Sequence, residues 1–427
     1  MLALLSTSCG RVRFTATPSA DAGVDAVRDA ARAAEPDTWG SDTFAPDLDA
    51  FTPDAFTPDA FAPDAFAPDA PTGPNRVVQI SLEENAFGGM ASFSCALHSD
   101  GRVACWGRNT YGQLGDGSTT DRTMPVEVLD IHDAISISAG SEHACALRRT
   151  GELWCWGRNQ AGQLGDGTLT DSSRPVRASL GAEGIRQFDV GLDRSCVVRL
   201  SGAVDCWGST IWASLSTNAL TPERVWAGGV DRVELTSAQI FAFRGTSAEY
   251  VGAFGLAGGA YPPVTVPTAF PGAPSLEGIS HGWDTTCATL VSGSVICGGR
   301  DQALCGDGDV DGPYENAPPT SVSVMNAIET ASGGGHNCAL TSGGSVYCWG
   351  WWDYVLGNGP GATNVATPTL VGGISTATQI EAGWAHTCVL LRDGRVQCWG
   401  ANEAGQLGTG DLATRFEPTT VVGLPLP

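Results

Sequence analysis

Six pairs of cysteines, each pair ten residues apart, constrain this chain more than any other feature: Cys95 and Cys105, Cys145 and Cys155, Cys196 and Cys206, Cys287 and Cys297, Cys338 and Cys348, and Cys388 and Cys398. One residue past the midpoint of each pair stands a glycine: Gly101, Gly151, Gly202, Gly293, Gly344 and Gly394. A three-residue hairpin loop with glycine in the left-handed position, such as Ser99, Asp100 and Gly101, sets the two cysteines opposite each other on neighbouring strands, where they can bond. Zinc sites cluster cysteines two to four apart and do not repeat one pair per unit, so disulfides are favoured over metal ligation. Closing so short a loop contributes about 2 to 3 kcal/mol by chain entropy. Such bonds persist in oxidising compartments, so the cysteines predict export.

The second cysteines of successive pairs are 50, 51, 91, 51 and 50 residues apart. The long interval holds one extra unit, whose remnant is Val233 to Gly255, with A-F-G at Ala253 to Gly255 in place of C-W-G. Seven units of this period predict a propeller or a solenoid. Within one unit Ala134 to Gly140, His143 to Arg148, Leu153 to Arg158 and Pro175 to Ala178 read as four short strands divided by turn residues, and four strands make one propeller blade. The fold class is therefore all-β, a seven-bladed β-propeller over residues 76–427. The first repeat starts at Arg76 with no P-V strand before it, and Pro418 to Leu424 is left over at the end, so the last strand is expected to complete the first blade.

Residues 1–75 are of another kind. Met1 to Cys9 reads M-L-A-L-L-S-T-S-C, a short apolar stretch before a cysteine, which resembles the end of a bacterial lipoprotein signal with Cys9 as the lipidated residue. Residues 10–75 form a disordered linker, and Phe51 to Ala70 is four copies of F-[TA]-P-D-A. Each proline fixes φ and removes a donor, and each aspartate adds repulsion, so the segment is expected to be an extended tether.

Charge excludes several functions. The 23 basic residues are all Arg, which rules out a phosphate loop ending in Gly-Lys and any lysine Schiff base. With 46 acidic residues the net charge is −23, which repels nucleic acid and anionic lipid. No apolar run reaches the ~18 residues that cross a bilayer, so no transmembrane span is expected.

The run A-G-S-E-H-A-C-A-L at Ala139 to Leu147, followed by W-G-R-N-Q-A-G-Q-L-G-D-G at Trp156 to Gly167, resembles the regulator of chromosome condensation repeat, whose family fold is a seven-bladed β-propeller. The second run recurs at Trp106 to Gly117 and Trp399 to Gly410, and is altered in the fifth unit (G-G-R-D-Q-A-L-C-G-D-G) and the sixth (W-G-W-W-D-Y-V-L-G-N-G). The resemblance implies a rigid disc that recognises macromolecules, of a disulfide-bearing bacterial exported type. Nothing in the residues carries over the GTPase-exchange role of the family's founder.

Among candidate sites, His143, His336 and His386 share one slot in three repeats; they form a metal site only if all three face the central channel, and otherwise hydrogen-bond a loop. The tryptophans of C-W-G (Trp106, Trp156, Trp207, Trp349 and Trp399) read as blade packing. D-G-D-V-D-G at Asp307 to Gly312 resembles half a calcium loop, with Asp307, Asp309 and Asp311 as ligands, although Pro318 stands where a bidentate glutamate belongs. No zinc-protease H-E-x-x-H, no G-x-S-x-G and no paired-carboxylate motif is read in the chain, so no enzyme is expected. Trp351, Trp352 and Tyr354 replace the polar run of the sixth unit, and Trp283 and Trp384 share a loop slot in the fifth and seventh; extra aromatics on three successive blades read as a binding surface. The expectation is an exported, surface-tethered, monomeric, non-catalytic scaffold that binds a protein with a basic surface, with no cofactor beyond calcium. The alternatives are a calcium-assisted glycan-binding module and, third, a propeller enzyme without a recognisable motif. Non-reducing peptide mapping is expected to return six links, each between cysteines ten apart, with Cys9 and Cys305 outside the set.

Overall fold

The structure, a computed structural model, describes residues 75–82, 92–209, 218–236, 239–252, 264–269, 275–283, 285–299, 304–308, 317–361 and 364–425. Cys9, the linker and Ala253 to Gly255 lie outside the described residues.

The described strands form seven antiparallel four-stranded sheets, each built from four consecutive strands. In the second blade these are Ala134–Ala139, His143–Arg148, Leu153–Gly157 and Ser172–Arg177, so the fourth begins three residues before the expected Pro175. The hairpin between the second and third strands takes the anticipated form. His98 N–H donates to Arg102 C=O at 2.8 Å across a three-residue loop, and Gly101 supplies a φ of 87° that a side chain would resist. The cysteines of each pair then fall in direct register, as Cys95 with Cys105 and Cys388 with Cys398. All six expected disulfides are formed. The fourth blade lacks a cysteine pair, and its second and third strands, Gln239–Arg244 and Ser247–Gly252, are joined by a shorter turn through Gly245.

The core lies between blades rather than within them. One cluster joins Phe93, Leu97 and Val103 of blade 1 to Ile137 and Trp156 of blade 2. Each C-W-G tryptophan is at most 1% exposed, and its indole N–H donates to a backbone carbonyl of the preceding blade: Trp156 to Gln113 at 2.8 Å, Trp207 to Gln163 at 2.9 Å, Trp349 to Leu304 at 2.9 Å and Trp399 to Val355 at 2.7 Å. Two residues beyond that carbonyl is a glycine in the left-handed region, Gly115, Gly165, Gly306 or Gly357, lying flat on the ring. The altered runs of units five and six keep this contact. Cys305, outside the disulfide set as expected, is buried where Leu114, Leu164 and Leu407 sit in other blades.

The expected ring closure is overturned. Strand Arg415–Thr420 pairs with Val396–Gly400 and completes the seventh blade, while the first blade takes its outer strand from Arg122–Glu127. The proline-bearing outer strand follows the C-W-G of its own blade, as Arg122–Glu127 with Pro125 does in the first, so no described strand is left over. Blades 7 and 1 meet as blades 1 and 2 do: Trp106 donates to Gln406 C=O at 2.9 Å, Gly408 packs on its ring, and Val77, Ile80 and Leu82 share a core with Leu390 and Val396.

A Cβ on Gly165 would stand 2.5 Å from Trp207 Nε1, whereas one on Gly167, which has a similar φ, would meet nothing within 4 Å. Thermal melting should therefore show Gly165→Ala costing at least about 1 kcal/mol more than Gly167→Ala, the excess being overpacking of the seam rather than backbone strain.

Candidate docking surface

The histidine slot serves the seams. His143 Nε2 lies 3.0 Å from Ser195 Oγ, His336 Nε2 2.7 Å from Thr387 Oγ1, and His386 Nε2 3.0 Å from Ser94 Oγ, each on the next blade. The Ser195 and Ser94 hydroxyls donate to the carbonyls of Gln163 and Gln406, the same carbonyls that Trp207 and Trp106 bond. Burial lowers all three imidazoles to about 3, with His336 adding to the effect at His386. They are neutral hydrogen-bonding groups, and the shared metal site weighed from the sequence is replaced by these bonds.

The aromatic residues do come together. Trp283 of blade 5 and Trp384 of blade 7 meet edge to face with ring centroids 5.0 Å apart. They meet over the glycines of blade 6, where Trp283 N–H donates to Gly333 C=O at 3.2 Å and Gly334 N–H donates to Trp384 C=O at 2.8 Å. A Cβ on Gly334 would lie 2.6 Å from Trp384 Cδ2, and one on Gly335 would lie 3.2 Å from Trp352. Three glycines in a row thus make the floor on which two tryptophans lie.

Trp352 stacks on Tyr354 at 5.9 Å with the planes 7° apart. Both sit on the connection between the third and fourth strands, where Asn109 and Asn159 organise their loops in blades 1 and 2. Asn109, fully buried, accepts Leu114 N–H at 3.0 Å and reaches Asp116, Ser118 and Thr120 with its amide. Unit six has no such asparagine and instead forms a helical turn, Asp353–Leu356, ended by Gly357 at φ 74°. This turn buries Val355 and Leu356 and leaves Trp352 and Tyr354 half-buried at the surface. Trp351 is half-buried too, its N–H donating to Gly335 C=O at 2.9 Å. Burial raises the Tyr354 hydroxyl above its usual range, helped by the carboxylates of Glu403 and Asp353. Four rings from blades 5, 6 and 7 therefore form one shelf with carboxylates beside it.

Asp307 is exposed, at the position of Asp116, which binds Arg122 at 2.7 Å in blade 1; Asp309 and Asp311 lie outside the described residues. One serine-hydrolase-like string, G-I-S-H-G at Gly278 to Gly282, escapes the sequence reading. It folds as strand Leu276–His281, with Ser280 bonded to the hydroxyls of Thr330 and Ser332 at 3.0 and 2.8 Å rather than raised on a strand-to-helix turn. Sequence reasoning also passes over the carboxylates of the inner strands: Asp189, Glu234, Glu329 and Glu381 look like ordinary solvent-facing strand positions, yet Glu234, Glu329 and Glu381 line one cavity and Asp189 bonds Ser138 and Leu235 of the neighbouring blades.

The arrangement defines a disulfide-laced, seven-bladed propeller with partly exposed aromatic residues on its fifth, sixth and seventh blades. The chain belongs to the RCC1-like domain family, whose match spans residues 62–426. It is 27% identical over 289 residues to the Ultraviolet-B receptor UVR8 of Arabidopsis thaliana, covering 61% of this chain and 63% of that protein. It is 32% identical over 111 residues to Protein pim1 of Schizosaccharomyces pombe, covering 23% and 21%. The matched part thus spans less than two thirds of either relative. The crystal structure of Prp20p from Saccharomyces cerevisiae, described with its binding to Gsp1p and histones, superposes with a TM-score of 0.66 at 19% identity over 75% of this chain and 86% of that one. Yeast RCC1 (Prp20) bound to Kap60 gives 0.66 at 18% identity over 81% and 85%. These likenesses show the fold.

The imidazole resonances of His143, His336 and His386 are expected to stay fixed in an NMR titration from pH 5 to pH 8, because groups lowered to about 3 remain neutral throughout. Movement of any of the three would mean a seam open to water.

Proposed function

We propose that this protein is an exported, surface-tethered, non-catalytic scaffold that docks a protein partner through a basic segment. The observation that carries the reading is the convergence of Trp283, Trp352, Tyr354 and Trp384 from three blades into one partly exposed shelf beside Asp353 and Glu403. Aromatic anchors supply most of the affinity of a recognition surface, and charges at its rim orient and accelerate encounter. Arginine and lysine side chains also sit favourably over indole and phenol faces. Residues 233–427 carry 5 Arg against 16 acidic residues, so the partner that complements this half is basic. Binding of Gsp1p and histones by Prp20p, and of Kap60 by yeast RCC1, supports protein recognition as the use of such a disc. The six cross-strand disulfides support export.

The test is fluorescence anisotropy with a labelled Arg-Gly-Ser repeat peptide, an acidic peptide and a β-glucan oligosaccharide. The arginine peptide should bind, more weakly as salt rises. Trp352→Ala should weaken it by roughly thirtyfold, about 2 kcal/mol. Glu403→Lys, at an exposed position, should weaken it with an unchanged melting temperature. Preference for the glucan would replace the reading with a glycan-binding module, and equal binding by both variants would place the docking surface elsewhere.

A further inference from the structure

The inner strands of neighbouring blades touch around the axis but do not form a ladder; side chains bridge them instead. At three seams the bridge is a glutamine using both ends of its amide. Gln79 donates to Ile137 C=O at 2.9 Å and accepts Ile137 N–H at 3.0 Å. Gln187 does the same with Val233, at 3.0 Å for both bonds, and Gln379 with Ile80, at 2.8 and 2.9 Å. Blade 6 has Glu329 at this third position of the inner strand, Ala327–Ser332. Its Oε2 accepts Ile380 N–H at 3.0 Å.

A strand residue points its N–H and its C=O to the same side, so Ile380 C=O also faces blade 6. An ionised carboxylate has only acceptors, whereas a protonated carboxyl has one O–H and matches the donor and acceptor of a glutamine amide. We propose that the Glu329 carboxyl is a proton-operated latch on the seam between blades 6 and 7, closing it with two hydrogen bonds when protonated and with one when ionised.

The surroundings favour the neutral form. Glu329 lines a central cavity of about 450 Å³ together with Glu234 and Glu277 from blades 4 and 5, His281 from blade 5 and Glu381 from blade 7. Glu381 accepts Gln379 Nε2–H at 2.9 Å, Glu234 pairs with Arg232 at 3.1 Å and accepts Ile279 N–H at 2.8 Å, and Asp189 accepts from Ser138 and Leu235. Burial, then the charge of Glu234, pushes the Glu329 carboxyl up to about 7, against the hydrogen bond from Ile380. Burial pushes Glu234 up to about 7 and Asp189 to about 6, and raises Glu381 well above its ordinary value with the charge of Glu329 adding to it. Burial keeps His281 neutral by lowering it to about 4.

An acid whose folded value lies above its ordinary 4.5 holds more protons folded than unfolded. Its contribution is full below 4.5, is lost as pH rises to about 7, and is constant above that. In thermal melting of the whole chain, the wild-type midpoint should fall by several degrees between pH 4.5 and 7.5. Glu329→Gln should melt above the wild type at pH 7.5 and fall less across the range. Hydrogen exchange at the Ile380 amide, corrected for the intrinsic rate, should lose protection several-fold over the same interval in the wild type and not in the variant. An equal fall in both proteins, constant Ile380 protection in the wild type, or failure of Glu329→Gln to fold would each overturn the latch, since a neutral glutamine reproduces the protonated group.

Discussion

The disc depends on one contact repeated at five of its seven seams: the indole N–H of each C-W-G tryptophan bonds a carbonyl of the preceding blade, with its ring covered by a glycine in the left-handed region. A four-stranded sheet of short strands cannot bury both faces alone, so each blade needs its neighbour to form a core. The tryptophan supplies the largest apolar group of that core, and truncating one would cost about 3 to 5 kcal/mol. Its polar edge would be an unsatisfied donor without the carbonyl. The third strand, the disulfide that pins it and the loop that carries the glycine are all arranged around this contact. It also explains how the ring closes, because Trp106 meets Gln406 and Gly408 just as Trp156 meets Gln113 and Gly115.

Because the lock uses a backbone carbonyl and a glycine, the residues before them are free to change. Leu304 and Val355 replace the glutamine at no cost to the bond. In unit six the freedom extends further, to a helical turn whose buried side, Val355 and Leu356, serves the seam while Trp352 and Tyr354 turn outward. The glycines at 333 to 335 work with it, since any side chain at 334 would displace Trp384. The surface is thus a local departure built on the inter-blade contact of the tryptophans, and two of its three blades, the fifth and the sixth, carry the altered repeat run.

The cysteine pairs and their glycines made the blades and disulfides legible, since a hairpin with a fixed loop length leaves the register no freedom. The closure was not legible. Pro418 to Leu424 read as a strand left over for the first blade, and only the pairing of Arg415–Thr420 with Val396–Gly400, and of Arg122–Glu127 with Val103–Gly107, shows that each blade keeps its own outer strand. The five aromatic residues stood out in the repeat and were read as one surface, but the edge-to-face contact of Trp283 with Trp384 was not legible, because they are 101 positions apart and meet over glycines that carry no signal of their own. The channel carboxylates were hidden for a different reason. In a strand with one solvated face, Glu329 and Glu381 are ordinary polar residues; only the ring turns that face inward.

Arginine placement accounts for the acidity of the aromatic side. Among the described residues many arginines are committed within their own blades: Arg102 to Asp100 at 2.8 Å, Arg395 to Asp393 at 2.7 Å and Arg415 to Asp411 at 2.6 Å. Asp205 is bound by both Arg199 and Arg224, with Arg199 and Asp205 nearly buried. The two guanidinium groups hold its carboxyl below the usual range despite the burial that opposes them. A buried pair of this kind resists loss of either partner more than it adds net stability. Arginines so engaged tie hairpins and outer strands together and are not available to neutralise carboxylates elsewhere. With no lysine in the chain and 5 Arg for 16 acids beyond residue 232, that half is acidic, and Asp353 and Glu403 lie near the Tyr354 hydroxyl beside the stacked rings. A cationic side chain arriving there meets aromatic faces and carboxylates together, and a desolvated ring face strengthens its attraction for the cation.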